Sequence, residues 1–538
     1  MSISHPHNFH QLSTSPPHSH PLIKPHNIPI STINIIKKKK MDLQASFCFF
    51  FFTFTLVFSL FSLSLFIVRY NPCCNCDVCS AFITRSWTSE FTNLSDWYTH
   101  LLRKSPTGTI HVHVLNNIIT ANPDNVEYMI KTNFDNYPKG KAFSTILGDL
   151  LGRGIFNVDG HCWRFQRKLA SLELGSLSIR SHALNIVMDE IQSRLIPFFT
   201  TVEDQNDKHD VVLDLQDVFR RFSFDSICKF SFGLDPGSLK PNLPVSELES
   251  AFDLSSKLCA ERGLAPSPVV WKIKRHFNIG SEKELKKSIN VVKRMAGRII
   301  KERRENGSGS VTGNDLLSRF IGSISDDDYL RDIVISFLLA GRDTVASALT
   351  TFFLLLSKNP KVLEKIREES DRVIGSNRDT FPSFKELQDL HYLQAALHES
   401  MRLYPPVQFD SKFAKYDDVL PDGTFVKRGS RVTYHPYAMG RMERIWGPDA
   451  MEFKPERWIR DGEFKQESVY KYPVYQGGVR VCLGKEMSLV EMKSVALVLV
   501  RRFDVRVVDP DRILRFAPGL TASVSGGLPV VVRRREVL

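Results

Sequence analysis

The sequence predicts a mainly α-helical fold with small β-sheets, formed by one large domain behind an N-terminal transmembrane anchor. Three observations carry this expectation. Helical apolar periodicity dominates residues 93–538, and residues 109–119 and 514–532 read as strands punctuated by Gly and Pro. Residues 332–356 are apolar on nearly every side, the pattern of a helix buried through a core. Residues 47–68 form an uncharged apolar run of about 22 residues, long enough to cross a bilayer.

Taken from the N-terminus, residues 1–40 are rich in His, Pro, Ser and Asn, lack any acidic residue and end in four lysines, so they read as a disordered extension. Residues 41–70 then form the anchor. The run is long for a signal peptide, and Arg69 follows it without a small-residue cleavage site. Counted from Met41, no Lys or Arg precedes the run, whereas Arg69, Arg85, Arg103 and Lys104 follow it. The positive-inside rule therefore places the domain in the cytosol, and residues 1–40 read as an upstream extension with a mis-assigned start. Residues 71–92 form a Cys-rich linker holding Cys73, Cys74, Cys76 and Cys79. Zinc binding, juxtamembrane acylation and a reduced cluster without a site all remain open for these thiols. Residues 93–538 are the main domain.

Within that domain the segment from Pro473 to Glu486, Pro-Val-Tyr-Gln-Gly-Gly-Val-Arg-Val-Cys-Leu-Gly-Lys-Glu, is the most informative. A Gly-rich turn presents Cys482, with Arg480 two residues before it and a helical run just after it. A thiolate at a helix N-terminus receives unpaired backbone N–H groups and the positive end of the dipole. Such a sulfur is a good anionic axial ligand for haem iron.

The apolar helix at 332–356 has acids at its start, Asp326, Asp327 and Asp328, and Lys358-Asn359-Pro360 as its stop. Its middle reads Ala340-Gly341-Arg342-Asp343-Thr344. A glycine costs about 1 kcal/mol against alanine there, and two buried charges need partners, so the segment carries either an ion-pair network or a site. Glu399 and Arg402 stand three apart on one helical face before Pro405-Pro406. Trp163 and Arg167 stand four apart, which aligns an indole N–H and a guanidinium.

Tyr475, Gly478, Arg480, Cys482 and Gly484 occupy the fixed positions of Phe-x-x-Gly-x-Arg-x-Cys-x-Gly, and the chain resembles the cytochrome P-450 superfamily. Ala340 to Thr344, Glu399-Ser400-Met401-Arg402, Pro455-Glu456-Arg457-Trp458 and Trp163 to Arg167 match that family's other signatures in its order. The resemblance implies the cytochrome P-450 fold and haem with Cys482 as the iron ligand. It implies propionate contacts from Trp163, Arg167, Arg480 and Lys412, and a ligand loop shaped by Tyr475, Gly478 and Gly484. It also implies oxygen and proton handling by Thr344 and Asp343 beside a groove at Gly341, and a cluster of Glu399, Arg402 and Arg457 that holds the loop. Tyr475 replaces the usual phenylalanine, and Val345 stands where many relatives have a second threonine.

A pI near 9.2 raises the question of nucleic acid, but no recognition motif or aromatic-basic module accompanies it. The five lysines of residues 1–40 account for part of the formal +12 and leave +7 on the remainder. That surplus suits an anionic membrane surface and an acidic redox partner. The chain lacks a dinucleotide-binding Gly-rich fingerprint, so electrons come from outside. The resemblance implies an NADPH-dependent flavoprotein reductase, O2 and residence in the endoplasmic reticulum membrane.

The stretches 133–140, 148–156, 214–222 and 437–441 look like the plant omega-hydroxylase group, which oxidises terminal carbons of fatty acids and of jasmonoyl-isoleucine. Residues 406–413 and 431–437 look most like the branch that carries 12-hydroxy-jasmonoyl-isoleucine to its carboxylate. Residues 143–151, 407–410 and 520–524 are expected to line the pocket. A fatty-acid omega-hydroxylase, a peroxide-rearranging haem isomerase and a non-catalytic membrane haem protein are the alternatives.

Overall fold

A computed structural model describes residues 44, 46–60, 62, 76–175, 177–206, 211–240, 246–265, 267–306 and 315–535. The chain divides into two units, Met1–Asn71 and Pro72–Leu538. In the first, Ser46–Leu60 is an apolar helix with its phenylalanines exposed. Residues 1–40, most of the anchor beyond residue 60, Cys73 and Cys74 lie outside the described residues.

The second unit is mainly helical. The elements used below are α1 (Leu94–Lys104), β1 (Thr109–Val112), β2 (Asn117–Thr120), α2 (Gly140–Leu151), α3 (Gly160–Leu174), α4 (Leu215–Phe232), α5 (Glu247–Leu264), α6 (Gly280–Asn306), α7 (Asp327–Lys358), α8 (His391–Leu403), β3 (Asp410–Phe413), β4 (Arg431–Tyr434), α9 (Lys485–Arg502), β5 (Phe503–Val507) and β6 (Pro529–Arg534). Ahead of them the helix Asp77–Thr84 buries Cys79, and Phe82 stacks on Trp97.

The stretch read as one strand at 109–119 is a hairpin. A 3-10 turn, His113–Leu115, and the left-handed Asn116 separate β1 from β2, because φ near 45° reverses the chain there. The four-stranded sheet has the order β1-β2-β4-β3. β2 runs parallel to β4 with Ile118 opposite Val432, and β3 runs antiparallel with Ser411 opposite Thr433. The second predicted strand region breaks into the short pair Phe516–Ala517 and Ser523–Val524, then β6, which pairs with β5.

α7 sets the architecture. Asp326 caps it by accepting from the Tyr329 N–H at 3.1 Å, acids follow in the first turn, and Asn359 ends it ahead of Pro360. Thirty-two residues span roughly 48 Å at 1.5 Å per residue. Although α7 is long and apolar enough to cross a membrane, 78% of its apolar window is buried within the domain, so it is a core helix. It packs on α4, α6, α8 and α9. Phe219 and Phe222 of α4, Leu349 and Phe352 of α7 and Leu497 of α9 are fully buried in one cluster. Burial of each such side chain contributes about 1.5–3 kcal/mol.

At the end of α8 the fully buried Glu399 carboxylate collects donors from its own helix and from residues 454–458. Arg402 Nε and Nη2 donate to it at 2.7 and 2.8 Å, Trp458 Nε1 at 2.9 Å, the Lys454 N–H at 3.0 Å and Arg457 Nε at 3.3 Å. Arg402 in turn donates to the carbonyls of Gly440, Ala450 and Glu452. Arg457 donates to those of Trp446 and Asp449. One carboxylate thus fixes the whole meander that precedes the cysteine loop. Removing its charge leaves Arg402 buried and uncompensated, so Glu399→Gln is expected to lower the unfolding free energy by about 3–5 kcal/mol. The drop is read from the urea midpoint, and an unchanged midpoint contradicts the account.

Candidate active site

The cysteine loop descends from two 3-10 turns, Pro473–Tyr475 and Gly478–Arg480, into α9. The Cys482 N–H donates to the Tyr475 carbonyl at 2.8 Å, which closes the loop on itself. Gly478 sits at φ +57°, and a Cβ there would overlap the Ile130 carbonyl, so this position needs glycine twice over. Arg167 Nη1 donates to the Val481 carbonyl at 2.6 Å and pins the loop from α3. The Tyr475 ring lies among the apolar groups beneath the loop, its hydroxyl 3.7 Å from Met401 Sδ.

The Arg480 guanidinium lies 4.5 Å over the Trp163 ring, and its Nη2 donates to Asp159 at 2.6 Å and the Val158 carbonyl at 3.0 Å. Asp159 also accepts from the N–H groups of Lys139 and Gly140. Close by, the buried Asp410 receives Lys412 Nζ at 2.8 Å and a shorter contact from Lys139, together with the Tyr434 hydroxyl. Burial pushes Lys412 down to about 7, against the pull of Asp410. Burial would raise Asp410, but the two lysines outweigh it and hold the carboxyl well below its usual range.

The structure thus brings Cys482, Trp163, Arg167, Arg480, Lys412, Tyr475, Gly478 and Gly484 to one region. Lys412 spends its charge on the carboxylate of its own strand instead of standing free. Lys139 and Asp159 complete the arrangement without having been read from the sequence, and Asp410, expected at the pocket lining, joins the two lysines instead. The three come from separate segments, and the local signal for Asp159 is that it directly precedes the helix of Trp163.

These residues fit a haem. Cys482 keeps a large accessible surface although its surroundings are protein, so the thiol faces an internal space. A Cβ at Gly484 would meet nothing within 4 Å, which leaves room beside the sulfur. Arg480 Nε is buried without a partner among the described residues, and Arg167, Arg480, Lys139 and Lys412 outnumber the carboxylates Asp159 and Asp410. A flat group with acidic edges satisfies that surplus. Burial pushes the Cys482 thiol up, while the Gly484 N–H, Arg167 and Lys485 act in the opposite direction.

On α7, Thr344 Oγ1 donates to the Ala340 carbonyl at 2.7 Å. A Cβ at Gly341 would overlap Ile227 of α4, so this glycine permits the two helices to approach closely. The buried Arg342 pairs with Asp253 of α5 at 2.6 Å and lies 3.2 Å from Asp343. Burial raises the Asp343 carboxyl, Arg342 opposes that, and the Thr521 hydroxyl lies within its reach. The ion pairs suggested by the sequence are present in this segment. Leu483 and Met487 of the cysteine region pack in the same apolar cluster as Leu147 and Leu150 of α2, Leu338 and Leu339 of α7, and Leu520.

A family profile described as Cytochrome P450 matches residues 87–525. The chain is 60% identical to "Cytochrome P450 94C1" of Arabidopsis thaliana over 92% of this chain and 100% of that protein. It is 46% identical to "Cytochrome P450 94B3" of the same plant over 82% and 88%, and 43% identical to "Cytochrome P450 94A1" of Vicia sativa over 82% and 86%. A thiol loop pinned by Arg167 and Arg480 beneath a long buried helix is what this likeness leads one to find, and the chain belongs to the cytochrome P450 family of haem-thiolate monooxygenases.

Proposed function

We propose that the protein oxidises the terminal carbon of jasmonoyl-isoleucine or its 12-hydroxy derivative, through to the carboxylate, in jasmonate turnover. The observation that carries the reading is the convergence of the cysteine region, α2, α7 and Leu520 in one apolar cluster. The likeness of residues 406–413 and 431–437 to the jasmonoyl-isoleucine branch supplies the substrate class. Fatty-acid omega-hydroxylation is the competing outcome.

Cys482 holds the iron. Arg480, Arg167, Trp163 and Lys412 hold the acidic edge of the porphyrin, with Tyr475, Gly478 and Gly484 giving the loop its shape. Haem, when bound, supplies oxygen activation. Asp343 and Thr344 pass protons into the site, and Arg342 and Asp253 keep Asp343 in place. The apolar side chains of α2 and α7 would receive the substrate's hydrocarbon end and keep water out. Electrons come from NADPH through a membrane-bound flavoprotein reductase; one oxygen atom of O2 enters the substrate and the other leaves as water. Residues 41–70 anchor the chain as a single span in the endoplasmic reticulum membrane, with 71–92 as linker and the catalytic domain in the cytosol.

Three measurements test this. Membranes containing the enzyme, reductase and NADPH are expected to convert jasmonoyl-isoleucine to hydroxy and carboxy products by mass analysis. Preferential turnover of a fatty acid selects the competing reading, and product without NADPH selects an isomerase. Cys482→Ser is expected to abolish the far-shifted Soret band of the reduced, carbon-monoxide-bound pigment, and its persistence refutes the ligand assignment. Thr344→Ala is expected to lower product formation about 100-fold while NADPH continues to be consumed. Full coupling in that variant removes Thr344 from proton delivery.

A further inference from the structure

A cleft of about 350 Å³ opens between α2 and the helix Pro268–Phe277, lined by Thr145, Trp271, Lys272, Arg275 and His276. Ser267 caps that helix by accepting from the Val269 N–H at 3.3 Å, and Asn278 ends it in the left-handed region at φ 52°. Trp271 with Arg275, and Lys272 with His276, are four apart, so the four side chains share adjoining faces. From α2, Thr145 lines the cleft and Asp149 follows one turn later. Asp149 ties the two helices together: its Oδ1 accepts from Arg275 Nη2 and its Oδ2 from Arg262 Nη1 of α5, both at 2.9 Å.

Trp271 is 6% exposed, and the Arg262 guanidinium lies 4.8 Å over its ring. That arginine is spent on Glu282, Asp149 and the Ile146 carbonyl. The Trp271 indole N–H has no acceptor, and it is the one buried indole N–H without one among the described residues. Trp446 donates to the Met439 carbonyl at 3.0 Å and Trp458 to Glu399 at 2.9 Å. A buried indole N–H ordinarily finds such a partner, so its lack here points to a missing acceptor. Lys272 and His276 carry no hydrogen bond or ion pair among the described residues; they lie against the rings of Trp271 and Phe277. Both oxygens of Asp149 are engaged, so the cleft offers donors and positive charge with no carboxylate left to meet them.

Apolar surface adjoins the cleft on either side. Val270, Ile273 and Phe277 stand exposed on the remaining face of the helix. On the other face of α2, Leu147 and Leu150 enter the apolar cluster with Leu338, Leu339 and Leu520. An anion that also carries a hydrocarbon chain uses both features. Resting on the amphipathic-acid reading above, we propose that this cleft is the acid-binding end of the substrate site. The Trp271 indole N–H and Lys272 hold the carboxylate while the hydrocarbon end crosses α2, about 10 Å wide, into the apolar cluster. Such a contact is the same before and during the reaction, so it sets KM and acid selectivity and leaves kcat alone.

Turnover of jasmonoyl-isoleucine and of its methyl ester is followed in membranes containing reductase and NADPH, with a long-chain fatty acid and its methyl ester in parallel. Trp271→Phe keeps a ring beneath Arg262 and removes the indole N–H. It is expected to raise KM for the free acid about tenfold, with kcat unchanged and the ester altered by less than about twofold. Lys272→Gln, at an exposed position, is expected to act in the same direction by about threefold, and serves if Trp271→Phe does not accumulate. Equal changes for acid and ester, or none for either, overturn the proposal. Binding of the same variants to vesicles of neutral and of anionic lipid is measured beside this. Weaker binding to the anionic vesicles with unchanged acid kinetics assigns the cleft to a lipid headgroup and also overturns it. If the unaltered enzyme turns over neither acid, the substrate reading falls and the cleft proposal with it. If it turns over an acid whose KM neither variant changes, only the cleft proposal falls.

Discussion

Glu399 is the point on which the lower half of the domain hangs. A carboxylate without solvent exposure is tolerable when donors surround it, and here two arginines, an indole and a backbone N–H do so. One donor, Arg402, lies on the same helix, and the other three lie within residues 454–458 of an otherwise irregular stretch, so there the charge replaces the regular hydrogen bonding that helices and strands would supply. The meander it fixes leads directly into the turns that present Cys482. Precise placement of a single sulfur therefore begins with a buried ion pair that never touches the reaction.

The cysteine loop repeats this logic on a smaller scale. Its backbone is held by the Tyr475 carbonyl from within and by Arg167 from α3, and Arg480 lies between the Trp163 face and Asp159. The cations Lys139 and Lys412 share Asp410, so positive charge exceeds negative around the space above the thiol. A desolvated excess of one sign is costly until an oppositely charged partner enters. The site is accordingly organised for an anionic cofactor, and binding that cofactor contributes to the stability of the fold.

α7 joins the two functions of the domain. From Val345 to Leu356 it is buried on all sides and gives the core its length. Through residues 340–344 it carries a glycine packed against Ile227, a paired arginine, a buried acid and a back-bonded threonine. Its ends are secured by caps and its middle by tertiary contacts, so polar groups persist where an isolated apolar helix would exclude them.

The sequence by itself determined the fold class, the family, the order of the signature segments and the one cysteine that stands at the family's ligand position. These follow from local patterns: apolar periodicity, caps, prolines and a glycine-framed cysteine. It also marked Glu399, Arg402 and Arg457 as a unit, since their spacing sits inside known signatures. Tertiary structure alone decided which charges meet. Lys139 and Asp410 lie 271 residues apart, Arg480 and Asp159 lie 321 apart, and no local pattern encodes either pair. It likewise divided 109–119 into two strands, gave Gly341 a packing reason, and left the buried Trp271 indole N–H without an acceptor among the described residues. Chain-distant pairing depends on how sheets and helices stack, and a one-dimensional pattern carries periodicity but not partners.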